Sequence, residues 1–290
     1  MRDAFIGVDW GTTNRRAFLI DRGAVSRSWH DDCGAASIAS ADYPPAVASL
    51  RARLGDLPML LAGMAGSNIG WHQVPYVATP AGLDTLARGA LHVDARTVIL
   101  PGVADIGCDR ADVMRGEEVL MLGAVASGAV PGDALLCQPG THCKWAEIKA
   151  GRITRFTTAM TGELFALLRR DGLLARQLGG QVQMGVAFRD GVAEGARRDL
   201  TASLFGIRSY GLLRRRDDAD AASFASGLLI GADVAARLQE YPGAMVHLVA
   251  GPDLGKLYQT AIEILGASAR LVDSDQAFVV GITRLESMTI

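Results

Sequence analysis

The chain has 290 residues, of which 49% are apolar and 21% charged, with a formal net charge of -2. That is room for one large domain or two medium ones with a sizeable core. The near-neutral balance gives no electrostatic case for nucleic acid or an anionic membrane. No uninterrupted apolar run approaches the roughly 18–20 residues that span a bilayer.

Met1-Arg2-Asp3 leads straight into a strand with an internal acid, unlike a secretory signal, so a cytoplasmic location is expected. Cys33, Cys108, Cys137 and Cys143 form no Cys-x-x-Cys pair and read as reduced and structural. The five histidines show no zinc-ligand spacing.

An apolar strand runs into Asp9-Trp10-Gly11-Thr12-Thr13-Asn14, and a second run returns from Arg15 to Ile20. Strand, tight polar turn and return strand make a hairpin. Gly11 lets a ligand approach backbone, and Thr12, Thr13 and Asn14 supply donors, a set suited to phosphate. Asp9, at the strand's end, could hold Mg2+ through water. A third strand is expected at about Ala24–Trp29 and a helix from Pro44-Pro45 to about Leu54. Pro58–Ala62 reads as a buried strand ending in the glycine-rich loop Gly63–Trp71, where open α/β sheets place ligands. Thr79-Pro80 reads as the start of a helix to about Leu91. Thr97–Leu100 follows as a strand, then a polar loop from Val103 to Arg115, then a helix from Gly116-Glu117-Glu118 to about Ser127.

The pattern of the N-terminus then returns. Ala134–Gln138 is a strand, Pro139-Gly140-Thr141-His142 a turn, and Lys144–Lys149 and Ile153–Thr157 further strands. Helices are expected from Thr161 to Arg169, Gln183 to Ala196, Leu200 to Arg214 and Ala221 to Glu240. Met245–Ala250 is a strand ending in Gly251-Pro252-Asp253, and a helix runs from there to about Leu265. Ala269–Val272 is a strand, and a last helix starts near Asp275.

Two Gly-Thr turns can grip one phosphate chain, with Gly140, Thr141 and the less certain Lys144 in the second. A phosphoryl acceptor also needs a carboxylate near its hydroxyl. Asp112, Glu117 and Glu118 cluster before an apolar helix, which helix capping alone does not explain. The glycines of Gly251-Pro252-Asp253-Leu254-Gly255 would let a flat ring approach, or they form an ordinary strand-to-helix turn. Ser226–Gly231 reads as a helix-packing seam or as space for a base. Ser67, Asn68 and Trp71 suit a sugar, Arg16 suits an anionic substrate, and Arg115 is placed with them.

These motifs resemble the 2-dehydro-3-deoxygalactonokinase family of sugar-acid kinases, in the actin/hexokinase/Hsp70 superfamily. The resemblance rests on Asp9–Asn14 with Arg16, Gly63–Trp71, Asp112–Glu118, Pro139–His142 with Lys144-Trp145, Met160–Phe165 and Ser226–Gly231. It implies ATP-dependent phosphorylation of 2-dehydro-3-deoxy-D-galactonate to its 6-phosphate in D-galactonate catabolism. It places Asp9 near Mg2+, both turns on the phosphates, and the nucleoside near Gly251, Pro252 and Asp253. The superfamily's catalytic Asp, at the start of the helix before the second turn, reads Glu117 here, with Asp112 a close second. Arg15 and the Arg170–Leu173 segment depart from the family pattern.

The expected fold is α/β: two actin-like (ribonuclease H-like) domains, residues 1–112 and 113–290, each a β-meander with mixed sheet and flanking helices, around an ATP cleft. The expected partners are a sugar acid and ATP, with Mg2+, no nucleic acid and no membrane; a homodimer stays open. Alternatives are a kinase for another 2-keto-3-deoxy sugar acid, or a non-kinase nucleotide-binding or phosphohydrolase member of the same fold.

Overall fold

The computed structural model describes residues 4–107, 110–197 and 199–289, so Cys108 lies outside the described residues. Strands β1 (Ala4–Trp10), β2 (Arg15–Asp21) and β3 (Ala24–Asp31) form an antiparallel meander in which Asp9 pairs with Arg16 and Trp10 with Arg15. Helix α1 (Tyr43–Leu54) carries its prolines in the first turn, where the missing N–H groups would find no helical partner anyway. It packs Tyr43, Val47, Leu50 and Leu54 into a core with Ile6, Val8, Trp10 and Leu61.

Strand β4 (Met59–Gly63) is buried throughout and lies parallel to β1. Covered on both faces, such a strand reads as an unbroken apolar run rather than an alternation. Beyond it come β5 (Val77–Ala78), helix α2 (Leu83–Arg88), β6 (Leu91–Asp94) and β7 (Thr97–Ile99). The main sheet has the order β3-β2-β1-β4-β7-β6. Helix α2 is shorter than expected and starts after Gly82, not at Thr79-Pro80. The Thr79 hydroxyl donates to Asp105 (3.3 Å) instead of capping a helix.

The polar loop expected from Val103 to Arg115 is also corrected. It contains β8 (Val103–Asp105) and β9 (Asp112–Met114), which pair antiparallel and build a small sheet β5-β8-β9. Each strand has three residues, too few for an alternation to show in sequence. Helix α3 (Glu117–Ala126) follows.

Next come β10 (Ala134–Gln138), β11 (Cys143–Lys149), β12 (Arg152–Ala159) and helices α4 (Thr161–Arg170), α5 (Val186–Gly195), α6 (Leu200–Leu212) and α7 (Asp218–Glu240). The chain closes with β13 (Met245–Ala250), α8 (Pro252–Ile264), β14 (Ser268–Asp273) and α9 (Ser274–Thr289). The second large sheet has the order β12-β11-β10-β13-β14.

The chain divides into two bodies: Met1–Asp133 with Ala146–Phe156 and Asp273–Ile290, and Ala134–Trp145 with Thr157–Val272. The division thus differs from the boundary expected after residue 112. Helix α3 belongs with the first body because it packs backbone to backbone on α9: a Cβ on Gly123 would lie 2.0 Å from Ala277 O, and one on Gly281 2.2 Å from Val119 O. The outer turn of the β11–β12 hairpin also counts with the first body. Ala81 and Ile153 exchange two backbone bonds of 2.9 Å, and Arg152 binds Asp84 (2.8 Å).

In the second body α5 and α7 pack in the same glycine-lined way. A Cβ on Gly227 would lie 2.1 Å from Phe188 O and one on Gly231 2.4 Å from Val192 O. The small residues of Ser226–Gly231 are therefore a packing seam. Helix α7 is long and apolar enough to cross a membrane, but 67% of that stretch is buried within the fold, as in a core helix.

Candidate active site

In the first body the parallel strands β1 and β4 end side by side, with Trp10 opposite Gly63. Ligands collect at such carboxyl ends. Gly63 has φ +83, and a Cβ there would lie 2.5 Å from Trp10 O. Gly116, immediately before α3, has φ +106; a Cβ there would sit 3.2 Å from Gly63 Cα and 3.7 Å from Asp9 Oδ1. Two glycines in a region that side chains avoid thus bring the Asp9 carboxylate and the N-terminus of α3 together.

The first Gly-Thr turn is held by backbone. Gly11 N–H donates to Asn14 O (2.9 Å), Ala35 N–H to Gly11 O (3.0 Å) and Ala36 N–H to Thr12 O (2.9 Å). Thr12, Thr13 and Asn14 stay exposed. Arg16 donates to Asp9 (2.7 Å) and also to Asp275 of α9. Burial alone would lower its pKa, but the two carboxylates outweigh that and raise it. Both terminal nitrogens of this guanidinium are engaged, and Arg16 thereby holds the Asp9 carboxylate in place.

The acids before α3 have different surroundings. Glu117 accepts from Arg115 N–H (3.0 Å) and stands at the helix start beside Gly116. Glu118 is fully buried, and both its oxygens accept from Gly116 N–H (2.9 and 2.8 Å). Burial, then the neighbouring Glu117, pushes its carboxyl up to about 8. Asp112 lies instead on edge strand β9, opposite Asp105, and accepts from Val113 N–H (2.8 Å).

In the Gly63–Trp71 loop, Ser67 is buried. Its hydroxyl donates to Met64 O (2.8 Å) and accepts from Ile69 N–H (3.3 Å), so it shapes the loop. Asn68 is exposed, and Trp71 is half-buried, stacked on Tyr43 with ring centroids 6.0 Å apart. Arg115 is buried, donates to Val74 O (2.7 Å) and lies over the Tyr76 ring at 4.2 Å. Its Nε and Nη1 have no protein acceptor among the described residues.

In the second body the parallel pair is β10 and β13, with Cys137 opposite Leu248. Three residues beyond that pair come Gly140 on one strand and Gly251 on the other, so the second Gly-Thr turn and the Gly251-Pro252-Asp253 turn leave the same sheet edge. Thr141 and Gly251–Asp253 are exposed, and a Cβ on Gly251 would meet nothing within 4 Å. The turn packs against the start of α4. A Cβ on Gly162 would lie 2.4 Å from Gly140 O, Glu163 N–H donates to Thr141 O (2.9 Å), and Glu163 pairs with His142 (2.6 Å). Lys144 is buried at 4% exposure on β11, so it does not face open solvent.

The sequence reading missed Asp233, in the middle of α7. Its carboxylate accepts from Trp145 Nε1 (3.1 Å), Thr161 Oγ1 (3.1 Å) and the Tyr258 hydroxyl (3.2 Å). Burial raises its pKa against the pull of Trp145, Cys143 and Thr161. A lone acid in the otherwise apolar and small run Ser226–Val234 was the available signal.

The family model for 2-keto-3-deoxy-galactonokinase matches residues 9–285. The 2-dehydro-3-deoxygalactonokinase of Escherichia coli (strain K12) is 33% identical over 287 residues, covering 97% of each chain. A crystal structure assigned to a 2-dehydro-3-deoxygalactonokinase of Sinorhizobium meliloti superposes with a TM-score of 0.90 at 34% identity over 97% of each chain. At 10% identity the likeness is one of fold alone: the activator of 2-hydroxyisocaproyl-CoA dehydratase from Clostridium difficile, a structure with bound ADPNP, has a TM-score of 0.53 over 98% of this chain and 95% of its own.

Proposed function

The chain belongs to the 2-keto-3-deoxy-galactonokinase family, and from that premise we infer how its own residues carry ATP-dependent phosphorylation of 2-dehydro-3-deoxy-D-galactonate in galactonate catabolism. The observation that carries the reading is the meeting of Asp9, Gly63 and Gly116-Glu117 at the carboxyl ends of β1 and β4. A nucleotide-phosphate turn, an oriented carboxylate and a second carboxylate at a helix start stand together there.

The C6 hydroxyl oxygen of the sugar acid attacks the γ-phosphorus of ATP. The new O–P bond forms as the bond to the β,γ-bridging oxygen breaks, ADP leaves, and the hydroxyl proton passes to Glu117. Glu117 is favoured over Asp112 because it stands beside Gly116 and hence Asp9, whereas Asp112 sits on an edge strand. Gly11, Thr12, Thr13 and Asn14 of the first turn and Gly140 and Thr141 of the second are assigned to the phosphates. Gly251, Pro252 and Asp253 receive the nucleoside. Lys144, on β11 just beyond the second turn, is assigned to the phosphates with it.

Asn68, Trp71 and Arg115 are assigned to the sugar acid, Arg115 as the cation of the set. Ser67 is assigned to the loop's shape, and Arg16 to the orientation of Asp9. No group of three or more His, Cys, Asp or Glu side chains could hold a metal ion among the described residues. Mg2+ would be held by Asp9 through water and otherwise by the nucleotide; the ion would supply charge to neutralise the phosphates. The reading places the enzyme in the cytoplasm with its metabolite.

A coupled ATP-consumption assay across a panel of sugar acids and hexoses tests this. ADP should form only when a 2-keto-3-deoxy sugar acid is present. Fast turnover with plain hexoses and none with sugar acids would sink the substrate assignment.

A further inference from the structure

We propose that Asp233 is the positioning residue of the nucleotide site: one buried carboxylate that fixes the second Gly-Thr turn and the nucleoside turn together. This rests on the ATP reading above. Asp233 lies in α7 and contacts neither turn itself. Its three donors come from three other elements: Trp145 from β11, Thr161 from the first residue of α4, and Tyr258 from α8.

Each donor leads to the site. Trp145 lies four residues beyond Thr141 on the strand that leaves the second turn. Thr161 precedes Gly162 and Glu163, whose backbones pack on Gly140 and bond Thr141 O. Tyr258 lies on α8, the helix opened by Gly251, Pro252 and Asp253. Thr141, His142 and Gly251–Asp253 are exposed, with only Pro139 buried at the foot of the second turn, so the tips of the two turns supply little packing of their own. A carboxylate taking three hydrogen bonds in a buried setting is a stiff joint, because breaking any of them strands a buried donor. The indole bond of 3.1 Å is ordinary for an N–H donor, the hydroxyl bonds of 3.1 and 3.2 Å are longer than usual for O–H donors, and together the three engage both oxygens of Asp233.

A purely structural role would lower thermal stability and leave the affinities of the folded enzyme alone. A positioning role moves nucleotide affinity selectively. The test uses Asp233→Asn, which keeps size and removes charge, and Thr161→Val, which removes only the link to α4. ADP affinity is measured by calorimetry below the melting transition of each variant, and KM is measured for ATP and for the sugar acid.

Asp233→Asn should weaken ADP about tenfold, a factor equivalent to ~1.4 kcal/mol, with the KM of ATP rising in step and that of the sugar acid within about twofold. Thr161→Val should weaken ADP about threefold, and the double variant should match Asp233→Asn, because both changes break the same joint. Unchanged ADP affinity in both folded variants would overturn the proposal. So would equal rises in both KM values. If the unsubstituted protein bound no ADP, the ATP reading and this inference would fall together. If it bound ADP, with the variants shifted as expected, but phosphorylated no sugar acid, only the substrate assignment would fall.

Discussion

The two Gly-Thr turns are held by different means. The first, Gly11–Asn14, is fixed by backbone bonds from residues 35 and 36, and the carboxylates beside it by the tight backbone approach of Gly63 and Gly116. The second, Pro139–His142, leans on the start of α4, which is anchored by a side-chain carboxylate from α7. A site that must aim reacting atoms within a few tenths of an ångström gains from rigid backbone. The Pro139–His142 turn, assigned above to the phosphates, is set indirectly by a buried polar cluster.

Substitutions should separate the two. The largest effect is expected at Glu117→Gln, which should cut turnover by roughly 10²–10⁴ while ADP affinity in calorimetry stays put. Asp112→Asn should stay within about threefold of the parent; a reversal of the two would move the base to β9 and break the comparison. Next is Gly116→Ala. A side chain at φ +106 is strained, at a cost of ~1–3 kcal/mol, and melting temperature and turnover should fall together. Gly140→Ala in the second turn, whose added Cβ would meet nothing nearer than 3.6 Å, should melt like the parent.

Glu118 gives a subtler, pH-dependent effect. Its folded pKa, at about 8, lies above the ordinary value of 4.5, so between those values the folded state holds a proton that the unfolded state has released. Stability from this group is therefore full below about 4.5 and falls as pH rises towards 8. Glu118→Gln removes the titration. The difference in melting temperature, variant minus parent, should move in the variant's favour as pH is raised from about 5 to about 8. A pH-independent difference would show that Glu118 is not the protonated acid its burial implies.

The smallest effects are expected in the sugar loop. Ser67→Ala should cost about 1 kcal/mol of stability through the lost bond to Met64. Asn68→Ala should leave stability alone and raise the sugar-acid KM. The opposite assignment would make Ser67 the substrate contact.

Much of this was legible in sequence, for reasons that differ by residue. The first turn was readable because Gly11, Thr12 and Thr13 interrupt two apolar runs, and α3 because Glu117 and Glu118 precede an apolar stretch. The strands β8 and β9 were hidden by their length, since three residues cannot show an alternation. The division of the chain was not legible because it depends on the return of α9 to α3, about 150 residues later, through Gly123 and Gly281. For Ser67, Arg16 and Lys144 the sequence shows the chemistry of the side chain, but which neighbours it meets and how deeply it is buried are set by packing. Asp233 escaped because its partners lie 25 to 88 residues away along the chain.

The central claim is phosphoryl transfer to the terminal hydroxyl of a keto-deoxy sugar acid. Phosphorus NMR of the protein incubated with ATP, Mg2+ and 2-dehydro-3-deoxy-D-galactonate tests it most directly. A new phosphate monoester coupled to the two protons of the C6 methylene, growing in step with ADP and absent without the acceptor, is the predicted result. Inorganic phosphate as the sole new signal, or an ester on a ring-borne hydroxyl, would contradict it.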